Sequence, residues 1–429
     1  MPEQTYNETR HVHVIGAGMA GISAAMHASH RGFPVSLYER SNLIGGRCRS
    51  YEDKQLNCLI DNGNHLMMSG NADILRLLDW AGATDRLHMA ETARYAFVDV
   101  DTRERWVLEI DKGRWPGWLL DPERRVPGTR IWDYRGLLGI LLNRDNQPLA
   151  VHLDRDSVLY HRFWEPLILA VMNLPPEQAD TGLLRRVLLE TVMRGGEYSR
   201  PMIARTGLGP DLVDPCVEWL GMRGTHVQFR KVLTGLTMDD DRITELQFKD
   251  ADPVTLNPDD AVILAVPPYS AATLLPGLVV PEEGEPILNL HFAVPNLNPA
   301  VLGTFPVIGL VGTIAQWVFV REGLASVTIS AARNLPADDD AALAERIWQE
   351  IAPVLEQSGD SVPAYRLIRE KRATFTQTLE NVRKRPGSYG PPRNLWLAGD
   401  WIDTGLPATI EGAARSGRMA VESLVQTVP

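Results

Sequence analysis

Near the start of the chain, apolar and polar positions alternate in a way that predicts two strands joined by a helix. The apolar run VHVI ends at Gly16, a stretch rich in small apolar residues continues to Gly32, and PVSLYE forms a second apolar run. The periodicity changes from that of a strand to that of a helix and back again. Because one crossover helix joins parallel strands, we expect a βαβ unit and a parallel sheet.

Later segments carry the same two kinds of apolar pattern. Apolar residues recur at three- and four-residue intervals over 71–87 and 153–195, which predicts helices. DDAVILAVPP and LWLAGD are short apolar runs bounded by turn residues, and a helical segment follows the second run after a loop. Both runs therefore indicate buried strands.

The segment from residue 286 to residue 320 contains no Asp, Glu, Lys or Arg, and it is long enough to cross a bilayer. However, Pro295, Pro299 and Pro306 interrupt it, and its runs ILNLHFAV and AQWVFV are rich in β-branched and aromatic residues. Proline breaks helices, and residues of the latter types favour strands. We predict buried strands in this segment.

The order of the elements predicts a discontinuous organisation. A chain of 429 residues has room for about two or three domains. The chain leaves the βαβ unit, returns to it, leaves again, and comes back with the LWLAGD strand. We expect a first domain of residues 10–90, 211–278 and 390–429, and a second domain of residues 91–210 and 279–389.

Charge and cysteine content narrow the classes of function. The net charge of -11 argues against nucleic-acid binding, which needs clustered Lys and Arg. Cys48, Cys58 and Cys216 have no CxxC spacing, so they indicate neither a disulfide framework nor a zinc site, and we predict no metal. The first ten residues are polar and lack the apolar core of a signal peptide. We expect a cytoplasmic protein.

Gly16, Gly18 and Gly21 form a GxGxxG motif between the first strand and the helix. Such glycines allow a tight turn, close approach of a pyrophosphate to the helix N-terminus, and close packing of helix on strand. Glu39 ends the second strand, where a carboxylate accepts hydrogen bonds from ribose hydroxyls, and we expect Arg40, the next residue, to contact the cofactor as well. Although the motif alone is also compatible with a glycine-rich turn, this context favours dinucleotide binding.

A second glycine-rich segment, NLIGGRCRS, follows Glu39. Gly45 and Gly46 offer open backbone donors, and Arg47 offers a guanidinium that suits a pyrophosphate. The alternative is a Gly-Gly turn beside a solvated arginine.

These motifs, with the late LAGD strand and its helix, resemble the amine oxidase and phytoene desaturase superfamily of flavoproteins. The resemblance implies an α/β fold with a discontinuous Rossmann-like FAD-binding domain and a mixed α+β substrate domain. Further FAD contacts are implied for Val232 at the adenine, Gly399 and Asp400 at the ribityl-pyrophosphate, and the backbone of Thr409 and Ile410 at the flavin. The helix itself also fits an ordinary surface helix packed through small residues.

The sequence favours non-covalent binding of the implied FAD. Cys216 is the last cysteine and His291 the last histidine, so the flavin-facing C-terminal segment offers neither usual attachment residue.

A narrower resemblance covers nearly the whole chain. IDNGNHLMMSGN, FWEPLILAVMNLPPEQAD, GLVGTIAQWVFVREG, IREKRATF and AGDWIDTGLPATIEGAARSG are similar to the squalene-associated flavoproteins, the hydroxysqualene dehydroxylases of bacterial hopanoid biosynthesis. That family carries Gln where this chain has Asn64. The resemblance implies reductive dehydroxylation of hydroxysqualene to squalene. The alternatives are a carotenoid-type desaturase, an amine oxidase, or a non-catalytic flavin-containing isoprenoid-binding scaffold.

Ionising an allylic alcohol requires a proton donor, and the sequence leaves three candidates: His65, Glu165 and Asp403. His65 also fits a structural, hydrogen-bonded histidine. For the apolar substrate pocket implied by the resemblance, we expect aromatic and aliphatic residues of the second domain: Phe163, Trp164, Leu167, Trp317 and Phe319. Each of them is equally compatible with a plain hydrophobic core.

The predicted partners follow from the implied substrate. A long apolar isoprenoid partitions into lipid, and Trp106, Trp115, Trp118 and Trp132 lie among leucines as in an interfacial anchor, although a domain core also fits them. We therefore expect contact with the inner face of the cytoplasmic membrane as one possibility, and association with other squalene or hopanoid enzymes as another. No second dinucleotide motif is present, so an unidentified electron donor must reduce the flavin.

Overall fold

The computed structural model describes residues 10–142, 147–335 and 339–427. The sequence predicts no signal peptide in the polar N-terminal segment. Residues 1–9 of that segment lie outside the described residues. Within the described ranges, no helix is long and apolar enough to cross a bilayer.

The described strands, in chain order, are β1 Val12–Ile15, β2 Val35–Tyr38, β3 Ser50–Asp53, β4 Cys58–Asp61, β5 Met67–Met68, β6 Leu87–Met89, β7 Arg94–Asp99, β8 Arg105–Glu109, β9 Pro201–Ala204, β10 Val227–Gln228, β11 Leu233–Asp239, β12 Arg242–Phe248, β13 Val254–Thr255, β14 Ala261–Leu264, β15 Ile287–Ala293, β16 Val307–Val311, β17 Trp317–Arg321, β18 Leu324–Ile329, β19 Tyr365–Glu370, β20 Tyr389–Gly390 and β21 Leu395–Leu397.

The described α-helices are α1 Met19–His30, α2 Ala72–Trp80, α3 Arg135–Leu142, α4 Glu165–Met172, α5 Thr181–Glu190, α6 Asp214–Met222, α7 Pro268–Leu274, α8 Asp340–Ile351, α9 Leu379–Arg383 and α10 Ile410–Gln426. Short turns of 3-10 helix at Gly117–Leu120 and Ile131–Tyr134 precede α3.

A six-stranded sheet carries the predicted βαβ unit. Its strand order is β10-β2-β1-β14-β21-β20, and β1 runs parallel to both β2 and β14. The late strand β21 pairs with β14 in the same direction, which confirms that the end of the chain returns to the N-terminal unit. Helices α1 and α10 pack closely, since a Cβ on Gly417 would lie 2.3 Å from the carbonyl oxygen of Ala20.

A seven-stranded, mostly antiparallel sheet has the order β19-β15-β18-β17-β16-β7-β8. The uncharged segment predicted to form buried strands supplies β15, β16 and β17, so that prediction is confirmed. Side chains alternate across β15: Leu290 and Phe292 join a core with Trp348 of α8, whereas Asn289 lines a cavity on the other face.

The predicted domain boundaries stay a proposal. Except for Tyr389 of β20, the six-stranded sheet draws on the residues assigned to the first domain, and the seven-stranded sheet draws only on those assigned to the second. A three-stranded sheet of order β5-β9-β6 joins the two assignments, because β5 and β6 belong to the first range and β9 to the second.

Candidate functional site

One cavity of about 1100 Å³ lies between the six-stranded and seven-stranded sheets. Its lining falls into two groups, for which we use two names. The nucleotide end comprises Gly16, Gly18, Glu39, Gly45, Gly46, Arg47, Gly399, Asp400, Thr409 and Ile410; the apolar end comprises Phe97, Trp118, Phe163, Trp164, Leu167, Trp317 and Phe319.

The first glycine motif forms a tight turn at the nucleotide end. Gly16 has a φ of +105°, and a Cβ there would lie 2.4 Å from the carbonyl oxygen of Ala265. A Cβ on Gly21 would lie 1.8 Å from the carbonyl oxygen of Gly16, so this glycine serves the packing of α1 on the turn. Gly18 differs, because a Cβ there would meet no atom within 4 Å and would enter the cavity. The turn therefore leaves open space at the position where a pyrophosphate approaches.

Glu39 is buried and fixed against this turn. Its carboxylate accepts hydrogen bonds from the backbone N–H of Ala17 at 2.9 Å and of Ser41 at 2.8 Å. Arg40 and Val232, two further residues predicted to contact the cofactor, also line the cavity. The carboxylate thus holds a defined position at the cavity wall.

The second glycine segment packs directly on the first. The backbone N–H of Gly45 donates to the carbonyl of Ala17 at 2.8 Å. Arg47 reaches across to the late strand, where its Nη2 lies 2.7 Å from Oδ1 of Asp400 and its Nη1 donates to the carbonyl of Ala373. Burial opposes the charge on Arg47, but Asp400 raises the pKa of the guanidinium above its ordinary value. A positive group therefore links three segments that are far apart in sequence.

The N-terminus of α10 faces the cavity. Thr409 caps the helix by accepting the backbone N–H of Gly412 at 3.0 Å. Within the part of the chain that the structure describes, the backbone N–H groups of Ile410 and Glu411 have no hydrogen-bond partner. Unpaired donors at the positive end of a 17-residue helix suit an anion or a partly negative ring.

Glu411 is a buried carboxyl that the sequence analysis missed. It accepts the backbone N–H groups of Asp73 at 3.0 Å and Ile74 at 3.1 Å, and so caps α2. Burial, together with the charge of Asp73, raises the pKa of Glu411 to about 7. The IEGA sequence carries no local sign of this role, because its partners lie in another helix.

All five predicted pocket residues line the cavity, at its apolar end. Phe97, Trp118, Tyr134 and Leu184 also line it, although the sequence analysis did not single them out for this role. Phe97 lies 5.6 Å from Trp317, ring centroid to centroid, in an edge-to-face contact. Hydrocarbon and aromatic side chains from several elements thus form one continuous apolar surface.

Of the three candidate proton donors, only His65 lines the cavity. Burial and the nearby charge of Arg47 lower the pKa of His65 to about 4, so the imidazole is neutral at neutral pH. Glu165 lies outside the lining and faces His161 at 3.5 Å. Asp403 is also outside the lining, is exposed, and accepts the backbone N–H of Gly405.

The suggested tryptophan anchor is wrong for two of its four members. Trp106 and Trp118 are 7% and 5% exposed and belong to the core, because the alternation of β8 and the first 3-10 turn direct them inward. Trp115 and Trp132 are 75% and 76% exposed.

The chain matches the sequence profile of the family described as "Flavin containing amine oxidoreductase" over residues 19–297 and 321–425. It is 41% identical to a protein of Sinorhizobium fredii named hydroxysqualene dehydroxylase, over 96% of this chain and 98% of that one. It is 43% identical to a protein of the same name from Rhodopseudomonas palustris, over 96% of this chain and 97% of the other.

Among solved structures, the chain resembles wild-type putrescine oxidase bound to putrescine, with a TM-score of 0.70 and 14% identity over 97% of this chain and 99% of that one. At that identity the likeness concerns the fold, which agrees with the predicted α/β architecture.

Proposed function

The chain belongs to the flavin-containing amine oxidoreductases and, within them, to the hydroxysqualene dehydroxylases, and we propose that it reduces hydroxysqualene to squalene with FAD. In this reaction the allylic carbon–oxygen bond breaks, the hydroxyl takes up a proton and leaves as water, and a hydride forms the new carbon–hydrogen bond. The observation that carries the proposal is one cavity with a nucleotide end and an apolar end.

FAD fits the nucleotide end on three grounds. Gly18 leaves open space beside the helix N-terminus, Arg47 offers a cation for the pyrophosphate, and α10 offers unpaired N–H donors. Reduced FAD held there supplies the hydride. We propose that the FAD is bound non-covalently, as the C-terminal segment also suggests. Cys48 is the one cysteine among the described residues that line the cavity. Burial raises the pKa of Cys48 to about 12, which keeps the thiol protonated and a poor nucleophile.

The apolar end supports the choice of substrate class. A C30 alcohol has one polar group, and its hydrocarbon chain gains most from burial against surfaces such as Trp164, Leu167 and Phe319. The same side chains exclude water, which would otherwise capture an allylic cation and return the alcohol. A small polar amine has no long hydrocarbon chain to pack against this apolar surface.

The test is an anaerobic single turnover of the photoreduced holoenzyme with hydroxysqualene. We expect the flavin to be reoxidised, which its absorbance reports. We also expect one squalene to form per flavin, which lipid extraction measures. Flavin that stays reduced beside unchanged alcohol would overturn the dehydroxylase proposal, and conversion of a polyene by the oxidised enzyme would favour the desaturase alternative. A flavin inert to both kinds of lipid would favour the non-catalytic scaffold. The reductant that restores the flavin is a separate, unidentified donor.

We also propose that the protein binds the surface of a lipid bilayer. The segment from residue 112 to residue 142 exposes five large apolar side chains, which we call the outer patch: Trp115, Leu120, Trp132, Leu138 and Leu142. Trp118 and Tyr134, one from each 3-10 turn that precedes α3, meet edge to face at 5.6 Å on the inner side and line the cavity. The segment that carries the outer patch therefore also contributes residues to the cavity wall.

Charge supports a bilayer as the occupant of the outer patch. The exposed basic side chains Lys112, Arg114, Arg130 and Arg135 belong to the same segment and outnumber its exposed acidic side chains, Asp121 and Glu123, in a chain whose net charge is -11. Exposed tryptophan and leucine beside basic residues are typical of helices that bind anionic membrane surfaces.

Flotation with phosphatidylcholine vesicles, with and without phosphatidylglycerol, tests this contact. We expect Trp132→Ser with Leu138→Ser to lower the bound fraction by at least about tenfold, since each side chain buries apolar area in the interface. Met222→Ser is the control, because Met222 is 78% exposed on α6, away from this segment. Equal flotation of both variants would overturn the membrane proposal.

A further inference from the structure

A cluster of three neutral polar side chains interrupts the cavity wall between the two ends. Asn64, Asn289 and Thr328 all line the cavity. The hydroxyl of Thr328 donates to Oδ1 of Asn289 at 3.0 Å and accepts Nδ2 of Asn64 at 3.0 Å. The backbone N–H of Asn64 donates to the same Oδ1 of Asn289 at 3.3 Å. We call these residues the amide cluster.

The register of the seven-stranded sheet sets the position of the amide cluster. Asn289 of β15 is paired with Thr328 of β18, and Thr328 is paired on its other side with Trp317 of β17. Because directly paired residues face the same side of a sheet, the cluster adjoins the first aromatic residue of the apolar end. Asn62, two residues before Asn64, accepts Nη2 of Arg49 at 2.6 Å, and Arg49 also donates to the carbonyl of Gly46. The cluster therefore lies at the junction of the two ends.

The hydrogen bonds of the cluster leave one acceptor unused. Oδ1 of Asn289 receives three donors, and the Thr328 hydroxyl both donates and accepts. The Oδ1 atom of Asn64 has no partner among the residues that the structure describes. A polar atom at an apolar wall loses free energy unless it is hydrogen-bonded, so this oxygen calls for a donor from water or from a ligand.

We propose that Oδ1 of Asn64 accepts the hydrogen bond of the substrate's allylic hydroxyl, and that Asn289 and Thr328 hold the Asn64 side chain in place for it. This inference rests on the proposed function. The three partners carry no charge, which suits a neutral alcohol. A hydroxyl that donates to Asn64 keeps its own lone pairs free, and those lone pairs must take up a proton when it leaves. Asn64 is then a binding residue, and Thr328 a positioning residue.

The experiment compares the binding of two lipids that differ in this hydroxyl. Titrations of oxidised holoenzyme with hydroxysqualene and with squalene, followed by the flavin absorbance change, give both Kd values. We expect the nearly isosteric Asn64→Leu to raise the Kd for hydroxysqualene by about tenfold and to leave that for squalene within about twofold. Asn64→Gln keeps the amide and should restore much of the preference for the alcohol.

Ser330→Ala is the matched control. Ser330 follows β18 and lines the same cavity but takes no part in the amide cluster, so we expect unchanged preference. Thr328→Val and Thr328→Ser form a second pair that keeps the proposal testable if Asn64→Leu does not fold. Valine removes the hydroxyl that holds Asn64, so KM for the alcohol should rise about threefold with little change in kcat; serine should match the wild-type protein.

Three results would overturn the inference: an equal rise in Kd for both lipids, which would mean a packing effect; no change for either lipid; or loss of bound flavin in Asn64→Leu, which would mean that the amide serves the cofactor. Wild-type protein that binds hydroxysqualene but fails to convert it would instead overturn the proposed function. The two failures are therefore distinguishable.

Discussion

Different kinds of contact hold the residues of the nucleotide end and those of the apolar end in place. At the nucleotide end the contacts are mostly backbone atoms and one ion pair, such as the turn at Gly16 and the Arg47–Asp400 bridge. At the apolar end they are side chains of many elements, packed by shape. One added atom is enough to disrupt a close backbone contact, whereas a change in side-chain volume alters the packing of an apolar surface gradually. The difference predicts sharp effects of substitution at one end and graded effects at the other.

The largest expected effect separates two glycines of one motif. Gly21→Ala would place a Cβ 1.8 Å from the carbonyl oxygen of Gly16, so we expect the free energy of unfolding to fall by about 3 kcal/mol or more. Gly18→Ala meets no protein atom, so it should leave that free energy within about 0.5 kcal/mol while weakening FAD binding by at least about tenfold. Thermal unfolding of the apoprotein and flavin titration measure the two effects. Similar losses of stability in both variants would contradict the division of roles.

Next in size is the effect of the cation at the nucleotide end. Arg47→Ala removes charge-assisted hydrogen bonds to Asp400 and the carbonyl of Ala373, and we expect FAD to bind about 30-fold more weakly. The affinity of Arg47→Lys for FAD should lie between those of the wild-type protein and Arg47→Ala. A lysine ammonium keeps the charge but cannot bridge Asp400 and the carbonyl of Ala373. Arg372→Ala serves as the control, since Arg372 lines the same cavity but pairs with Glu283. Flavin retention through gel filtration and a Kd from quenching report the result.

A graded effect is expected at the apolar end. Leu167→Trp narrows the cavity, so KM for hydroxysqualene should rise about tenfold while flavin content stays constant. The control is Leu189→Trp, because Leu189 is 37% exposed on α5 and does not line the cavity. Steady-state kinetics with reconstituted reductant would measure both variants. Loss of flavin from Leu167→Trp would show that the two ends are not independent.

The smallest effect concerns His65 and acid. Its pKa is lowered from 6.5 to about 4, so the unfolded chain binds this proton more readily than the folded one between those values. Stability therefore falls as the pH drops below about 6.5, by on the order of 1 kcal/mol from this side chain over the first pH unit. His65→Gln should flatten that slope by the same amount, measured by urea unfolding at several pH values. An unchanged slope would mean that His65 titrates normally in the folded protein.

The sequence predicts the glycine turn of the nucleotide end because the requirements of that turn are local. A tight turn between a strand and a helix requires glycines at fixed spacing, so the spacing of Gly16, Gly18 and Gly21 predicts it. The return of the chain to the first sheet follows from the same logic, since LWLAGD is a short apolar run before a helix, whereas its pairing with β14 is seen only in the fold. Glu411 escapes this logic, because the groups it caps belong to α2.

The apolar end is less predictable because sheet register decides which side chains face it. Asn289 and Thr328 meet only through the pairing of β15 with β18. Trp115 and Trp118 are close in sequence, yet one is exposed and the other buried, because the 3-10 turn separates their directions. Glu165, one of the three candidate proton donors, lies off the cavity lining although Phe163 and Trp164 belong to it. Sequence spacing alone does not fix side-chain direction across irregular turns.

The pairing of β21 with β14 has a consequence for how the protein is made. Synthesis delivers Gly16 long before Thr409, so a complete nucleotide end cannot form until the chain between them has been made. Until then the nascent chain carries β14 with an unpaired edge and α1 without the helix that covers Ala20 and Ser23. Exposed strand edges and apolar helix faces are what chaperones bind. Both halves of the nucleotide end are therefore available to a cofactor only after α10 has been synthesised.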